Sequence, residues 1–238
     1  MAVMKYAIAF GVLVLVLVAY YGATTYRKIR VSGGLVAAAK PYELVHGETT
    51  STTTILVVGD STGVGVGADQ PEDSVAGRLA HFTHAASLEN YSVSGAVVAD
   101  LPAQIGRAKL KQYSIILVQI GGNDIIRFHD IAKTARQLDA ALARLPNATR
   151  VLVMSAGNVG ATSLFPWFLR PWYTSRTLQL HAAFTKVTAA RQATYINLYR
   201  DPAVDPFSLQ PEVYLSADGL HPSSKGYGLW FADVSAAI

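Results

Sequence analysis

Short apolar runs, separated by glycine, proline and polar turn residues, recur along the chain from residue 54 to the C-terminus. Two of them, residues 55–58 and 114–120, are continuous and rich in β-branched side chains, which is typical of strands buried on both faces of a parallel sheet. Further runs at residues 88–93, 150–154 and 194–198 have the length and composition of strands. The pattern therefore predicts a sheet of five strands.

Segments with helical character lie between these runs. Asp130 is a good N-cap for one of them, in which Ile131, Leu138, Leu142 and Leu145 share an apolar face. Helices are predicted at residues 71–84, 100–111, 130–145, 174–191 and 222–237. Because strands and helices alternate, the predicted fold class is α/β: a flavodoxin-like three-layer sandwich with a mostly parallel five-stranded sheet and helices on both faces.

A different pattern occupies the N-terminus. Residues 7–23 are apolar and uncharged, and they are flanked by Lys5 on one side and by Arg27, Lys28 and Arg30 on the other. At about 1.5 Å per residue, this segment nearly spans a hydrocarbon core of about 30 Å. It is typical of one transmembrane helix. A cleaved signal peptide fits less well, because no A-x-A-like site closes the run.

These features divide the chain into three parts. Residues 1–30 form an anchor with a basic flank, and residues 54–238 form one domain. Between them, residues 31–53 contain glycines, a proline and a Ser/Thr run, which indicates a connector in which residues 35–39 alone favour a short helix. The positive charges after the apolar segment slightly outnumber those before it, so the positive-inside rule favours a cytoplasmic domain by a narrow margin.

Composition excludes several kinds of site. The 238 residues include no cysteine, so the chain has no disulfide, thiol nucleophile or thiolate metal site. The net charge of +4 is modest and lies partly beside the apolar segment, which gives little support for nucleic-acid binding. His81 and His84 lie three residues apart without a further cluster of ligands, so the sequence predicts no metal site.

Ser61 is the first candidate for chemistry. It lies just past the carboxyl end of the first predicted strand, at the edge where open α/β sheets bind their ligands. Residues 63–68, GVGVGA, also fit the G-x-G-x-x-A pattern of a dinucleotide-binding fold, although three residues separate them from the strand. A P-loop needs a lysine followed by serine or threonine, which this segment lacks. A simple glycine-rich turn is the remaining alternative.

A second segment near the C-terminus favours a catalytic serine. Asp218 and His221 lie three residues apart just before Pro222, whose fixed φ suits the first turn of a helix. A serine hydroxyl is a weak nucleophile until a base takes its proton, and that base needs a third group to fix its tautomer. His221 is a candidate base, and Asp218 is a candidate for the group that orients it.

Four separated motifs together resemble the SGNH hydrolases, also called the GDSL esterase/lipase family, from about residue 53 to the C-terminus. GDST at 59–62 resembles the nucleophile motif, with Thr62 in place of the usual leucine. NYSVSG at 90–95, GGND at 121–124 and DGLH at 218–221 follow in the family's order. Each motif is short, and the resemblance depends on finding all four in sequence.

The resemblance implies a role for each matched residue. Ser61 corresponds to the nucleophile, and Asp218 and His221 to the rest of the triad. The backbone N–H groups of Ser61 and Gly95 and the side-chain amide of Asn123 correspond to the oxyanion hole. Fixed donors of this kind stabilise the charge that develops on an ester oxygen. Taken without the other motifs, Gly95 and Asn123 are equally consistent with ordinary turn residues.

The implied function is a membrane-anchored serine esterase that acts through an acyl-enzyme and uses no cofactor. The implied substrates are carboxylic esters, with the acyl group open among acetyl on a sugar, a fatty chain on a lipid and a thioester. The alternatives are an inactive binding module with the same fold and, less consistent with the motifs, a Rossmann-like nucleotide-binding protein. Members of the family with such an anchor are often exported, which opposes the cytoplasmic placement.

The four motifs do not explain one aromatic segment. Residues 165–173, FPWFLRPWY, contain five aromatic side chains and two prolines, and the sequence predicts no regular structure there. Large aromatic side chains that are exposed usually serve binding. The segment is therefore interpreted either as an acyl-binding wall or membrane-contacting loop, or as a small separate core beneath the sheet.

Overall fold

The computed structural model describes residues 2–45 and 50–238, and its centre is a parallel sheet of five strands. The strands are β1 (Thr54–Gly59), β2 (Ser87–Asn90), β3 (Gln112–Gln119), β4 (Asn147–Met154) and β5 (Thr194–Ile196), in the order β2-β1-β3-β4-β5. All pairings are parallel. The predicted α/β fold with a five-stranded parallel sheet is confirmed.

Within residues 2–45 and 50–238, ten α-helices surround or precede this sheet. They are α1 (Ala2–Ala38), α2 (Ser61–Val64), α3 (Val75–Phe82), α4 (Leu101–Ile105), α5 (Gly122–Ile126), α6 (Ile131–Leu142), α7 (Arg170–Ala190), α8 (Pro206–Leu209), α9 (Pro211–Tyr214) and α10 (Ser224–Ser235).

The two faces of the sheet carry separate cores. In β1, Leu56 and Val58 point to one face, whereas Ile55 and Val57 point to the other, as strand geometry requires. The first face packs against α4, α6 and α7, and the second packs against α3 and α10. The sheet is thus the middle of three layers, and the central strands are apolar throughout because both of their faces are buried.

Capping side chains decide where several helices begin. Asp130 accepts a hydrogen bond from the backbone N–H of Lys133, which confirms the predicted cap of α6. The predicted helix at 71–84 is a short 3-10 turn followed by α3, because the Ser74 hydroxyl caps α3. Ser223 likewise caps α10, so the expectation that Pro222 lies in the helix is wrong. Pro222 instead forms a β-bridge with Leu215.

Other predicted boundaries were wrong by several residues. The helix expected at 100–111 ends at Ile105, and the strand expected at 88–93 covers Ser87–Asn90. Helix α7 begins at Arg170 rather than at residue 174, because Pro171 fits the first turn, where no backbone N–H is needed. The aromatic segment at 165–173 therefore contains regular structure, contrary to expectation, and a 3-10 turn covers Trp167–Leu169.

Helix α1 is longer than the sequence indicated. It continues to Ala38, so the first eight residues of the expected connector at 31–53 are helical. From Tyr21 onward, half-buried residues recur at a helical spacing on the side facing the domain: 21, 24, 25, 28, 31, 32 and 35. Residues 46–49 of the connector lie outside the described residues, and a β-bridge from Leu44 to Leu88 precedes them.

Candidate active site

Ser61 lies at the carboxyl end of β1, which pairs with β2 on one side and β3 on the other. Gly59 ends the strand so close to β3 that an added Cβ would overlap the carbonyl oxygen of Gln119. Asp60 then caps the short helix α2 by accepting hydrogen bonds from the backbone N–H and the hydroxyl of Thr62. These two residues turn the chain sharply, and they place the Ser61 side chain at the sheet edge with 8% of the residue exposed.

The three residues of the expected triad meet at this edge. The Ser61 Oγ lies 2.8 Å from His221 Nε2, and the His221 Nδ1 lies 2.6 Å from Asp218 Oδ2. His221 is 5% exposed and Asp218 is completely buried. With Nδ1–H donating to the carboxylate, Nε2 presents a lone pair to the serine hydroxyl. This arrangement can move a proton from Ser61 to His221.

Hydrogen bonds hold Asp218 in its charged form. Burial alone would raise the pKa of Asp218, but the His221 side chain and two backbone N–H groups outweigh it and hold that pKa well below its usual range. The Oδ1 atom accepts from the backbone N–H groups of Leu220 and His221 and from the Ser216 hydroxyl. Both carboxylate oxygens are therefore occupied, which fixes the carboxylate against the imidazole.

A tight loop positions His221. The Ser216 N–H donates to the His221 carbonyl oxygen at 2.8 Å, and Gly219 turns the chain with a φ of +67°. On the far side of the loop, the Tyr227 hydroxyl of α10 donates to the carbonyl oxygen of Val66, just after α2. That hydrogen bond ties the histidine segment to the nucleophile segment across 161 residues of sequence.

Three groups that can donate hydrogen bonds belong to residues that line the cavity at Ser61. Ser61, Gly95 and Asn123 line the same cavity as His221. Among the hydrogen bonds of the described residues, the backbone N–H groups of Ser61 and Gly95 have no protein acceptor. The Asn123 Nδ2 donates one hydrogen to the Ala96 carbonyl oxygen at 3.0 Å, which leaves its second hydrogen available. Gly95 has a φ of +82°, which favours glycine there.

Helix α5 fixes the segment that contains Gly95. Besides the bond from Asn123 to Ala96, the Arg127 guanidinium donates to the Gly95 carbonyl oxygen at 2.9 Å. The buried Asp124 carboxylate accepts from the Val98 N–H at 3.0 Å. These roles of Asp124 and Arg127 are not visible in the sequence, because the contacts join segments that are 26 and 32 residues apart.

The cavity in front of Ser61 has a volume of about 200 Å³. Its walls are mainly apolar and include Val159, Leu198 and Leu215. Two residues of α1, Ser32 and Val36, also line it. Both residues lie in the connector expected at 31–53, and nothing in the sequence around them indicates a pocket. The half-buried stripe along α1 is visible only in the folded domain.

Asp60 is a buried acid beside the triad. Burial raises the pKa of Asp60 to about 6, against opposing hydrogen bonds from the Thr62 backbone and hydroxyl. The positive charge of a protonated His221 favours the ionised carboxylate, whereas the nearby Asp124 disfavours it. Asp60 thus combines a capping role with an unusual cost of ionisation near neutral pH.

The glycines after Ser61 do not form a dinucleotide fingerprint. Such a fingerprint places its glycines in a tight turn that opens a long crossover helix. Here α2 ends at Val64, and Gly65 and Gly67 adopt φ values of +88° and +94° in the following turn. A 3-10 turn and then α3 come only later, so this geometry disfavours the Rossmann-like alternative.

Comparisons with known proteins agree with this architecture. The GDSL-like esterase Rv1075c of Mycobacterium tuberculosis is 27% identical over 183 residues, a match that covers 74% of this chain and 58% of that protein. This chain therefore spans less than two thirds of that relative's length.

Solved structures show the same fold. Phospholipase A1 from Streptomyces albidoflavus matches with a TM-score of 0.61 and 18% identity, covering 79% of this chain and 100% of the other. A member of the lipolytic protein G-D-S-L family from Veillonella parvula matches with a TM-score of 0.62 and 16% identity, covering 79% and 98%. The profile of the GDSL-like Lipase/Acylhydrolase family matches residues 57–229, and the chain therefore belongs to that family.

Proposed function

We propose that this protein is a membrane-anchored serine esterase that hydrolyses carboxylic esters through an acyl-enzyme on Ser61. The observation that carries the proposal is the continuous hydrogen-bonded chain from Ser61 Oγ through His221 to Asp218, with distances of 2.8 and 2.6 Å. A serine activated in this way attacks carbonyl carbons. Membership of the GDSL-like family supports ester hydrolysis as the reaction class.

The groups around Ser61 suggest the course of the reaction. His221 Nε2 removes the hydroxyl proton as Ser61 Oγ attacks the ester carbonyl, and the protonated imidazole is stabilised by the Asp218 carboxylate. The carbonyl oxygen, now negative, receives hydrogen bonds from the N–H groups of Ser61 and Gly95 and from Asn123 Nδ2. His221 gives its proton to the departing alcohol, and water then releases the acyl group by the same steps.

Helix α1 supplies the proposed membrane anchor. By length and composition it can cross a membrane, and none of its most apolar stretch is buried in the described structure. The same features fit a signal sequence. We favour the anchor because the helix continues without a break from the apolar stretch into its contacts with the domain. The basic residues Arg27, Lys28 and Arg30 support a cytoplasmic domain.

A fluorophosphonate probe tests the proposed nucleophile on the full chain in detergent micelles. The wild-type protein should be labelled, and Ser61→Ala should not. Ser92→Ala is a matched control, because Ser92 is also 8% exposed and lies next to α2 but has no histidine partner among its described contacts. It should be labelled like the wild type. Equal labelling of Ser61→Ala and the wild type would refute the acyl-enzyme proposal.

Turnover of p-nitrophenyl esters of graded acyl length separates the esterase from an inactive binding module with the same fold. An esterase should hydrolyse at least one ester of the series, and the activity should disappear in Ser61→Ala. A folded wild-type protein that is neither labelled nor active would favour the binding module instead.

A further inference from the structure

Two contacting pairs of exposed aromatic side chains lie on the domain, and Trp167 of one pair is five residues from Trp172 of the other. We define the aromatic patch as Phe128, Trp167, Phe168 and Trp172, which are 43%, 67%, 53% and 51% exposed. Phe128 stacks on Trp172 with ring centroids 4.3 Å apart, and Trp167 contacts Phe168 edge to face. An exposed apolar cluster of this kind is typical of a surface that binds a protein, a ligand or a membrane.

The aromatic patch adjoins α1 at the point where the helix meets the domain. Residues 8–20 of α1 are all exposed, whereas Tyr21 is half-buried and contacts Phe168 edge to face, with centroids 5.9 Å apart. Further along, Lys28 Nζ donates to the carbonyl oxygen and the hydroxyl of Ser163. These contacts fix the helix against the domain, and they place the aromatic patch level with the end of the free apolar span.

Cationic side chains border the aromatic patch. The Arg176 guanidinium lies 5.4 Å from the centre of the Phe128 ring. Arg127 precedes Phe128 directly, and Arg170 lies two residues before Trp172. On α1, Arg27 and Arg30 are exposed just beyond Tyr21. Tryptophan beside arginine is typical of surfaces at the headgroup level, where aromatic rings sit between lipid and water and cations attract anionic lipids.

The position of the cavity along α1 determines how far the pocket lies from the membrane. Ser32 and Val36 line the cavity, and Ser32 follows Tyr21 by eleven residues, which is about 16 Å along the helix axis. A tilt of about 40° would still leave about 12 Å. The headgroup region extends only about 5–7 Å beyond the hydrocarbon core on each side. The part of the cavity that Ser32 and Val36 line is therefore held above the headgroups, whereas Ile126, two residues before Phe128, lines the same cavity nearer the aromatic patch.

We propose that the aromatic patch docks on the lipid bilayer and, together with α1, holds the α1 side of the pocket above the headgroups, so that the pocket takes esters that project from the membrane or are dissolved beside it. This inference rests on the proposed function of α1 as an anchor. It favours an acyl group on a sugar or a soluble thioester over a glycerol-linked fatty ester, whose carbonyl lies at the edge of the hydrocarbon core.

Tryptophan fluorescence tests the docking on the full chain in lipid nanodiscs. The chain has three tryptophans, and the third, Trp230, is 5% exposed inside the domain. Lipids brominated near the headgroup end of their acyl chains should quench the wild-type emission. In Trp167→Phe/Trp172→Phe, where Trp230 alone remains, the quenching should be lost. Adding Tyr20→Trp to that double variant reports separately on the insertion of α1.

The outcomes distinguish docking from anchoring. Quenching of the wild type and of the Tyr20→Trp reporter, without quenching of the double variant, supports the proposal. Quenching of the Tyr20→Trp reporter alone would overturn the docking and leave the anchor in place. Quenching of neither would overturn both the docking and the proposed anchor, whereas the fluorophosphonate result would still decide the esterase chemistry by itself.

Turnover in the same nanodiscs tests the pocket height. A water-soluble glycerol diester with short acyl chains, whose ester bonds have the same alkyl leaving group, should be hydrolysed at least about ten-fold faster than a phospholipid of the bilayer, because lifting a lipid until even two methylenes meet water costs about that factor. Equal or faster hydrolysis of the phospholipid would overturn the height inferred from α1.

Discussion

Replacing Asp60 by asparagine should make the protein more stable at neutral pH. Asp60 is 3% exposed, and burial raises its pKa to about 6 from 3.8 in a model peptide. An asparagine Oδ1 can still accept the capping hydrogen bonds from Thr62, so the substitution removes mainly the charge. The experiment therefore isolates the cost of ionising one buried carboxyl group.

The sign and size of the effect follow from proton linkage. Since the folded state binds the Asp60 proton more tightly than the unfolded chain, this group stabilises the fold fully below about pH 3.8, and the stabilisation is lost as the pH rises through about 6. At about 1.4 kcal/mol per pH unit, the interval between 3.8 and about 6 corresponds to about 3 kcal/mol. Asp60→Asn does not undergo this loss.

The assay is urea unfolding of the full chain in detergent micelles at several pH values between 4 and 8, followed by tryptophan fluorescence. The free energy of unfolding of Asp60→Asn, relative to the wild type, should rise by most of that 3 kcal/mol across the range. Asp201→Asn is the control, because Asp201 accepts from the N–H two residues ahead, as Asp60 does, but is exposed. A constant difference between Asp60→Asn and wild type would refute the reasoning.

Three further outcomes are expected. Asn123→Ala should lower kcat by about 10²–10³ if its amide binds the oxyanion, and an unchanged kcat in the folded variant would show that it does not. Val36→Trp should fill part of the cavity and shift kcat/KM toward shorter p-nitrophenyl esters, whereas Ile29→Trp, exposed elsewhere on α1, should not. Alkaline phosphatase fused after Ile238 should be inactive in a bacterial host if the domain is cytoplasmic, and activity would place it outside.

Patterns within single elements made the sheet predictable. The run at residues 55–58 is apolar at every position because β1 is buried on both faces, and that is visible without tertiary information. Element ends were harder, because they depend on competition between neighbouring polar groups. Ser74 and Ser223 both cap helices. The sequence instead predicts that these two helices begin at Pro71 and Pro222, so both caps lie inside the predicted helices.

Contacts between distant segments explain what the sequence did not show. In the sequence, Lys28 is one of the basic residues that flank a predicted membrane helix. Only the folded chain shows that Lys28 forms a hydrogen bond with Ser163, 135 residues away. The same holds for Ser32 and Val36, which carry no signal of a pocket in their own surroundings. Arg127 likewise gains its role from a turn 32 residues earlier. Periodicity cannot report such pairings, because they depend on how the elements pack.

The order of the strands explains why the motifs lie where they do along the chain. Because β1 is flanked by β2 and β3, the loops that follow these three strands lie side by side at one edge of the sheet. The middle loop carries Ser61, and its neighbours carry Gly95 and Asn123, so the two donors approach the serine from opposite sides. Asp218 and His221 come from a later segment, the loop before α10, which brings the imidazole against Ser61. Because the parallel sheet reverses its winding direction at β1, Ser61, Gly95 and Asn123 all come from neighbouring loops at one edge of the sheet.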